Sequence, residues 1–248
     1  MPHVTSAEGV DLAYEFQPGK GPALVFCPGY ASDMTGGKAL ALLDFAKATG
    51  RAMLRFDYAG HGASGGLFTQ GTIGSWRDDA RAIIEHVLPG QDILLIGSSM
   101  GGWISLLLAR ELGARVTSLV LIAPAPDFTE RLVRHGLDDE QKAALARDGV
   151  IHQPSQYGPP QPFTLKLLED GARHLLLHAP IAYAGPVRIL HGLQDDAVPW
   201  KLSEILLDKL ESQDVELVFV KDGDHRLARP RDLALLTRIV AALLGEDG

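Results

Sequence analysis

The chain has 248 residues, with 23 Lys and Arg against 31 Asp and Glu for a formal net charge of −8, and it is 46% hydrophobic and 22% charged. That size and balance fit one folded domain with a substantial core, and they fit neither a disordered chain nor a fibre. The cationic residues are scattered, which argues against nucleic acid or an anionic membrane surface as a partner, since both need clustered Lys and Arg.

The single cysteine, Cys27, leaves no internal disulfide and fits a reducing compartment. Met1 to Thr5 carries no charged stretch leading into an apolar run, so no secretory signal is expected. The apolar runs are too short to span a bilayer. A cytoplasmic location is the expectation.

Short apolar runs alternate with amphipathic stretches, the pattern of βα units around a mostly parallel, doubly wound sheet. Strands are expected at Val10 to Phe16, Ala23 to Cys27 and Arg51 to Tyr58. A helix is expected from Lys38 to Ala48, closed by Gly50. Ser75 to Leu88 reads as a helix, Asp92 to Ile96 as a buried strand, then a helix through Leu112 and a strand at Val116 to Ile122.

Residues 126–185 interrupt the alternation. Two helical stretches, Thr129 to Arg147 and Phe163 to His178, are expected there, separated by a proline-rich stretch from Gln153 to Pro162. This block reads as an inserted helical cap over the carboxyl ends of the strands, where open α/β sheets place their ligands. The alternation resumes with a strand at Val187 to Leu190, an amphipathic segment at Leu202 to Leu210, a strand at Val215 to Val220, and a last helix from Pro230 to Leu244, with proline at its start.

Gly97-Ser98-Ser99-Met100-Gly101 matches G-x-S-x-G, a turn so tight that glycines flank a serine pushed above the sheet. Alone the pattern is common. Here an apolar strand precedes it and a helical stretch follows it, as the turn requires.

A serine hydroxyl needs a base, and in this arrangement the partners follow in the order Ser, then Asp or Glu, then His. Asp195, in Gly192-Leu193-Gln194-Asp195-Asp196, follows one late strand and is expected to orient the base, with Asp196 as the alternative. His225 follows the last strand and is expected to take the Ser99 proton. The rate should then rise with pH as the imidazole deprotonates. Two backbone N–H groups, of Met100 and of Tyr30 in Pro28-Gly29-Tyr30, are expected to hold the oxyanion.

His61 and His191 sit in neighbouring loops and read as hydrogen-bonding residues rather than as the base. Cys27, at the end of a buried strand, reads as an inert core residue. No paired Cys or His spacing suggests a metal, and no glycine-rich phosphate loop suggests a nucleotide, so no cofactor is expected.

The segments Phe26 to Tyr30, Gly37 to Ala41, Arg55 to Tyr58, Gly74 to Arg77, Gly97 to Trp103, Leu190 to Gly192, Asp195-Asp196, Val198 to Trp200 and Asp224 to Arg226 resemble one group of α/β-hydrolase domain proteins. That group comprises the palmitoyl-protein thioesterases and acyl-glucuronide esterases. The resemblance runs from about residue 24 to 240.

It implies the α/β-hydrolase fold and hydrolysis of carboxylic esters or thioesters through an acyl-serine intermediate, with Ser99, Asp195 and His225 as nucleophile, acid and base. It implies small acyl esters, acyl thioesters or S-acylated proteins as substrates. Met1 stands close before the first strand, so a cytosolic rather than a mitochondrial setting is expected.

The apolar stripe Leu165, Leu168, Ala172, Leu175 and Leu176 either contacts an acyl chain or packs the cap onto the domain. Trp103 and Trp200 either line a pocket or fill the core. Other chemistry on the same three residues (peptidase, C–C bond hydrolase, cofactor-free haloperoxidase) stays open, as does a non-catalytic receptor on the same scaffold.

Overall fold

The computed structural model describes residues 1–155 and 158–246. Its strands are β1 (His3–Thr5), β2 (Asp11–Gln17), β3 (Lys20–Cys27), β4 (Arg51–Phe56), β5 (Ile93–Ser98), β6 (Val116–Ile122), β7 (Val150–Ser155), β8 (Gly158–Thr164), β9 (Val187–Gly192) and β10 (Val215–Val220). The helices are α1 (Gly37–Thr49), α2 (Ile73–Val87), α3 (Met100–Leu112), α4 (Asp139–Asp148), α5 (Leu165–Gly171), α6 (Lys201–Lys209) and α7 (Pro230–Leu243).

Eight strands form one sheet in the order β1-β2-β4-β3-β5-β6-β9-β10. Neighbours from β4 to β10 are parallel, while β2 runs antiparallel to both β1 and β4. The chain leaves β3 for β4 on one side and then crosses to β5 on the other. That reversal opens a crevice at the carboxyl ends of β3 and β5.

Side-chain alternation along each strand divides the core in two. Ala23, Val25, Cys27, Ile93, Leu95, Leu119 and Leu121 face one layer, with Trp76 and Ile83 of α2, Trp103 of α3 and Leu206 of α6. Leu24, Phe26, Leu94, Ile96, Val120 and Ile122 face the other, with Leu42 of α1 and Leu236 and Val240 of α7. Both faces are therefore covered, as near-continuous apolar strands require.

Local signals set the helix ends. Gly50 adopts φ 67° and closes α1 by donating to the Ala46 and Lys47 carbonyls. Thr72 and Ser75 form a reciprocal cap on α2.

Asp79, buried on α2, accepts from the Ala59 N–H at 2.9 Å. Burial pushes its carboxyl up to about 6, with Glu8 and Asp78 adding to the effect and the Ala59 hydrogen bond opposing it. The folded form thus keeps a proton that the unfolded chain releases at lower pH. This carboxyl supports the fold in mild acid, and the support fades as pH rises through about 6. Asp79→Asn keeps an acceptor and removes the titration. Between pH 5 and 7.5 the urea midpoint of the native chain should fall relative to that of the variant; parallel pH profiles would refute the assignment.

The expectation of two long helices between 126 and 185 is corrected. Thr129–Val133 is a π-turn, Arg134–Gly136 a 3₁₀ turn, and α4 begins afresh at Asp138, whose side chain and that of Gln141 form a reciprocal cap. The Asp-x-x-Gln spacing announces that restart. β7 and β8 pair antiparallel, Ile151 opposite Phe163, where the sequence shows only a proline-rich stretch and the expected start of a helix. Gln156 and Tyr157, in that proline-rich stretch, lie outside the described residues. The register shifts between Gln153 and Ser155, so Pro154, Pro159 and Pro160 fall where the ladder is already broken, and Pro162 lies opposite His152. α5 then starts after Thr164, which caps Leu167 N–H at 3.1 Å, and ends at Gly171.

Candidate active site

Ser99 stands between β5 and α3 with φ 54° and ψ −118°, a backbone conformation that costs a non-glycine residue about 1–3 kcal/mol. Its neighbours hold it there. Ser99 N–H donates to the Ile122 carbonyl at 2.9 Å, and the Ser99 carbonyl accepts from Gly102 N–H at 2.9 Å and Ala125 N–H at 3.1 Å. A Cβ on Gly97 would lie 2.3 Å from the Gly101 carbonyl, and one on Gly101 would lie 2.0 Å from the Cys27 carbonyl. Glycine at both flanks is thus a packing requirement of the turn.

His225 comes from the loop after β10 and Asp195 from the loop after β9. These two loops meet backbone to backbone: Leu193 N–H donates to the Val220 carbonyl and Gln194 N–H to the Gly223 carbonyl, both at 2.9 Å. A Cβ on Gly192 would strike the Gly223 carbonyl at 2.2 Å. The close approach therefore depends on glycine as well.

From this platform His225 Nε2 reaches Ser99 Oγ at 3.1 Å, and His225 Nδ1 reaches Asp195 Oδ2 at 2.7 Å. The carboxylate can only accept, so Nδ1 carries the proton and Nε2 accepts from the serine hydroxyl. The Asp195 side chain has no solvent exposure and that of His225 is 16% exposed. Asp195 Oδ1 accepts from the N–H groups of Ala197 at 2.9 Å and Val198 at 2.8 Å. Burial alone would raise this carboxyl, but hydrogen bonds from His191, His225 and Val198 outweigh burial and hold it well below the usual carboxylate range. Asp196, the alternative acid, is exposed and lines the cavity, whereas the carboxylate 2.7 Å from His225 Nδ1 is that of Asp195.

A cavity of about 550 Å³ surrounds Ser99 and His225. Tyr30 and Met100, the two expected oxyanion donors, both line it. Met100 opens α3, where the first N–H groups have no partner within the helix. Gly29 brings the loop after β3 against the turn, where an added Cβ would lie 3.3 Å from Ser99 Cβ and from the Ser98 carbonyl. Phe128, Leu132, Val133, Pro154 and Phe163 give the cavity an apolar lining, to which Asp33, Lys38, Asp196 and Arg226 add charged groups.

The Tyr30 side chain does a second job that the sequence conceals. Its hydroxyl donates to the Pro162 carbonyl, and its ring stacks on Phe163 with centroids 5.1 Å apart. The β7–β8 pair is thereby tied to the loop after β3. No local pattern announces a contact between residues 132 positions apart.

The remaining candidates fall outside the cavity. Burial pushes the Cys27 thiol up to about 12, which leaves it protonated. His61 packs among Tyr58, Phe68 and Trp76, and burial lowers it to about 4. Trp103 is buried and donates to the His174 carbonyl at 3.1 Å, whereas Trp200 meets Phe219 edge-on. Leu168 and Leu176 of the apolar stripe belong to the core, so that stripe packs rather than facing the cavity.

Comparison with known proteins agrees with this architecture. A family profile described as "serine aminopeptidase, S33" matches residues 20–146. The human mitochondrial palmitoyl-protein thioesterase ABHD10 is 38% identical over 236 residues, spanning 94% of this chain and 76% of that protein. The chain belongs to the α/β-hydrolases, in the ABHD10 family.

Solved structures of this α/β-hydrolase family superpose closely on the chain. A putative hydrolase from Agrobacterium vitis S4 matches with a TM-score of 0.94 and 41% identity, covering 98% of this chain and 97% of that one. The mouse α/β-hydrolase domain-containing protein 10 matches with a TM-score of 0.90 and 34% identity, covering 100% and 99%. As a member of this family the chain is a hydrolase. No helix among the described residues is long and apolar enough to cross a membrane.

Proposed function

We propose that this hydrolase cleaves carboxylic esters or thioesters through an acyl-serine intermediate, with Ser99 as nucleophile, His225 as base and Asp195 as the orienting acid. The observation that carries the reading is the unbroken hydrogen-bond relay from Ser99 Oγ through His225 to Asp195, at 3.1 and 2.7 Å. Ser99 Oγ attacks the acyl carbonyl carbon while His225 Nε2 takes its proton, and Asp195 stabilises the imidazolium. The N–H groups of Met100 and Tyr30 hold the tetrahedral oxyanion. His225 then returns the proton to the leaving thiol or alcohol as its bond to the carbonyl breaks. A water molecule, deprotonated by His225, attacks the acyl-serine, and His225 returns that proton to Ser99 Oγ as its bond to the acyl carbon breaks and the acid leaves.

The segment between β6 and β9 acts in this reading as a cap, because its Phe128, Leu132, Val133 and Phe163 contribute to the apolar lining of the cavity. Those apolar residues suit the acyl group, and the charged lining residues suit a polar leaving group such as a thiol carrier, a sugar or an S-acylated protein. The related thioesterase names point the same way. The lone cysteine suits a cytoplasmic setting.

The test is a graded series of acyl thioesters and p-nitrophenyl esters run beside aminoacyl anilides. Turnover of the acyl series with none of the anilides supports the proposal. Anilide cleavage as the preferred reaction would replace it with a peptidase.

A further inference from the structure

We infer that His191 is a positioning residue for the reaction, acting with Ser203 to fix the carboxylate that orients His225. The inference rests on the acyl-serine mechanism proposed above, and it concerns a buried histidine that mechanism leaves unused.

His191 lies on β9, four residues before Asp195, with no solvent exposure. Its Nε2 is 3.1 Å from Asp195 Oδ2 and 3.0 Å from the Val198 carbonyl, and both partners can only accept. Nε2 therefore carries the proton. Its Nδ1 is 2.7 Å from Ser203 Oγ in the first turn of α6, also fully buried. A hydroxyl can donate as well as accept, so Ser203 gives its proton to Nδ1 and locks the ring in this tautomer.

Two imidazoles thus converge on one carboxylate oxygen. His225 holds Asp195 Oδ2 from the pocket side and His191 holds it from the core side, while the N–H groups of Ala197 and Val198 hold Oδ1. Among the described residues the carboxylate has no freedom to turn. Without the core-side donor, Oδ2 keeps a single imidazole partner, binds its proton harder and can rotate away from the line to Ser99. A core histidine needed only for packing would not have to aim a donor at this oxygen or a buried hydroxyl at its own far nitrogen.

The experiment compares His191→Phe, His191→Gln and Ser203→Ala with the native chain, reading kcat, KM and the pH profile of kcat/KM. Phe keeps the ring volume and removes the donor. Gln can place its amide N–H near the position of Nε2. The other charged groups around the relay, Asp196, Asp224, Arg226 and Lys38, are unchanged in all three variants.

His191→Phe should lower kcat about tenfold to a hundredfold, the scale of one buried hydrogen bond to a charged acceptor, with little change in KM. The acidic limb of its profile should move to higher pH, and His191→Gln should restore most of both. Ser203→Ala should move both in the same direction by less. A native profile and kcat in folded His191→Phe would overturn the inference. If that variant does not fold, a native profile in Ser203→Ala would do the same. Labelling of native Ser99 by a fluorophosphonate is read first: its absence condemns the mechanism itself, whereas labelling with unperturbed variants condemns only the role of His191.

Discussion

Replacing Ser99 with Ala should lower kcat/KM on acyl esters by about 10³-fold or more and abolish fluorophosphonate labelling, with the far-UV circular dichroism unchanged. The size of the loss follows from the relay. In the proposed mechanism His225 and Asp195 act only through the hydroxyl, so without it they have no proton to move, and what remains is binding and the two proposed oxyanion N–H groups. The fold should survive because the turn is held by the Ile122 carbonyl and by the Gly102 and Ala125 N–H groups, none of which involves the Ser99 side chain. A variant retaining a tenth or more of native turnover would refute Ser99 as nucleophile.

Gly101→Ala should cost about 3 kcal/mol or more of stability. The added methyl would sit 2.0 Å from the Cys27 carbonyl and 2.6 Å from the Pro28 carbonyl. These are backbone atoms at the end of a central strand, so no side chain can swing aside to relieve the contact. For a chain of this size such a loss lowers Tm by roughly 6–12 °C. Gly37, at the start of α1, has open space around its Cβ position, so Gly37→Ala is the control and should leave Tm within a degree or two. A Tm for Gly101→Ala equal to that of the control would show that the elbow relaxes more easily than its packing indicates.

Much of the fold was legible in the residues, because in a two-faced parallel sheet every central strand is a short apolar run with a turn signal after it. Ala23 to Cys27, Asp92 to Ile96 and Val116 to Ile122 are unambiguous for that reason. The three residues of the relay were also readable, since chain order after successive strands fixes which loops share one end of the sheet. The segment between β6 and β9 was not.

There, helical spacing of leucines around Leu165 extends well past Gly171, where α5 ends, and the prolines of β7 and β8 hide the strand pattern. The charged lining of the cavity and the Tyr30–Phe163 stack were invisible for a different reason: they join residues far apart in the chain, and no periodicity marks them. His191 showed its type and place in the sequence but not its aim, which only the positions of Asp195 and Ser203 reveal.

The strand that delivers His225 has a consequence for how the molecule fails. β10 lies at the margin of the sheet, pairs with β9 alone, and contains no fully buried residue. The central strands are covered on both faces and flanked on both sides, so they come apart only with the whole domain. The outermost strand is cheaper to detach, and local opening begins where burial is least. The imidazole therefore hangs from a lightly secured margin of the sheet, while the hydroxyl sits at the end of a strand covered on both faces. Under rising temperature or denaturant, chemistry departs first and architecture follows.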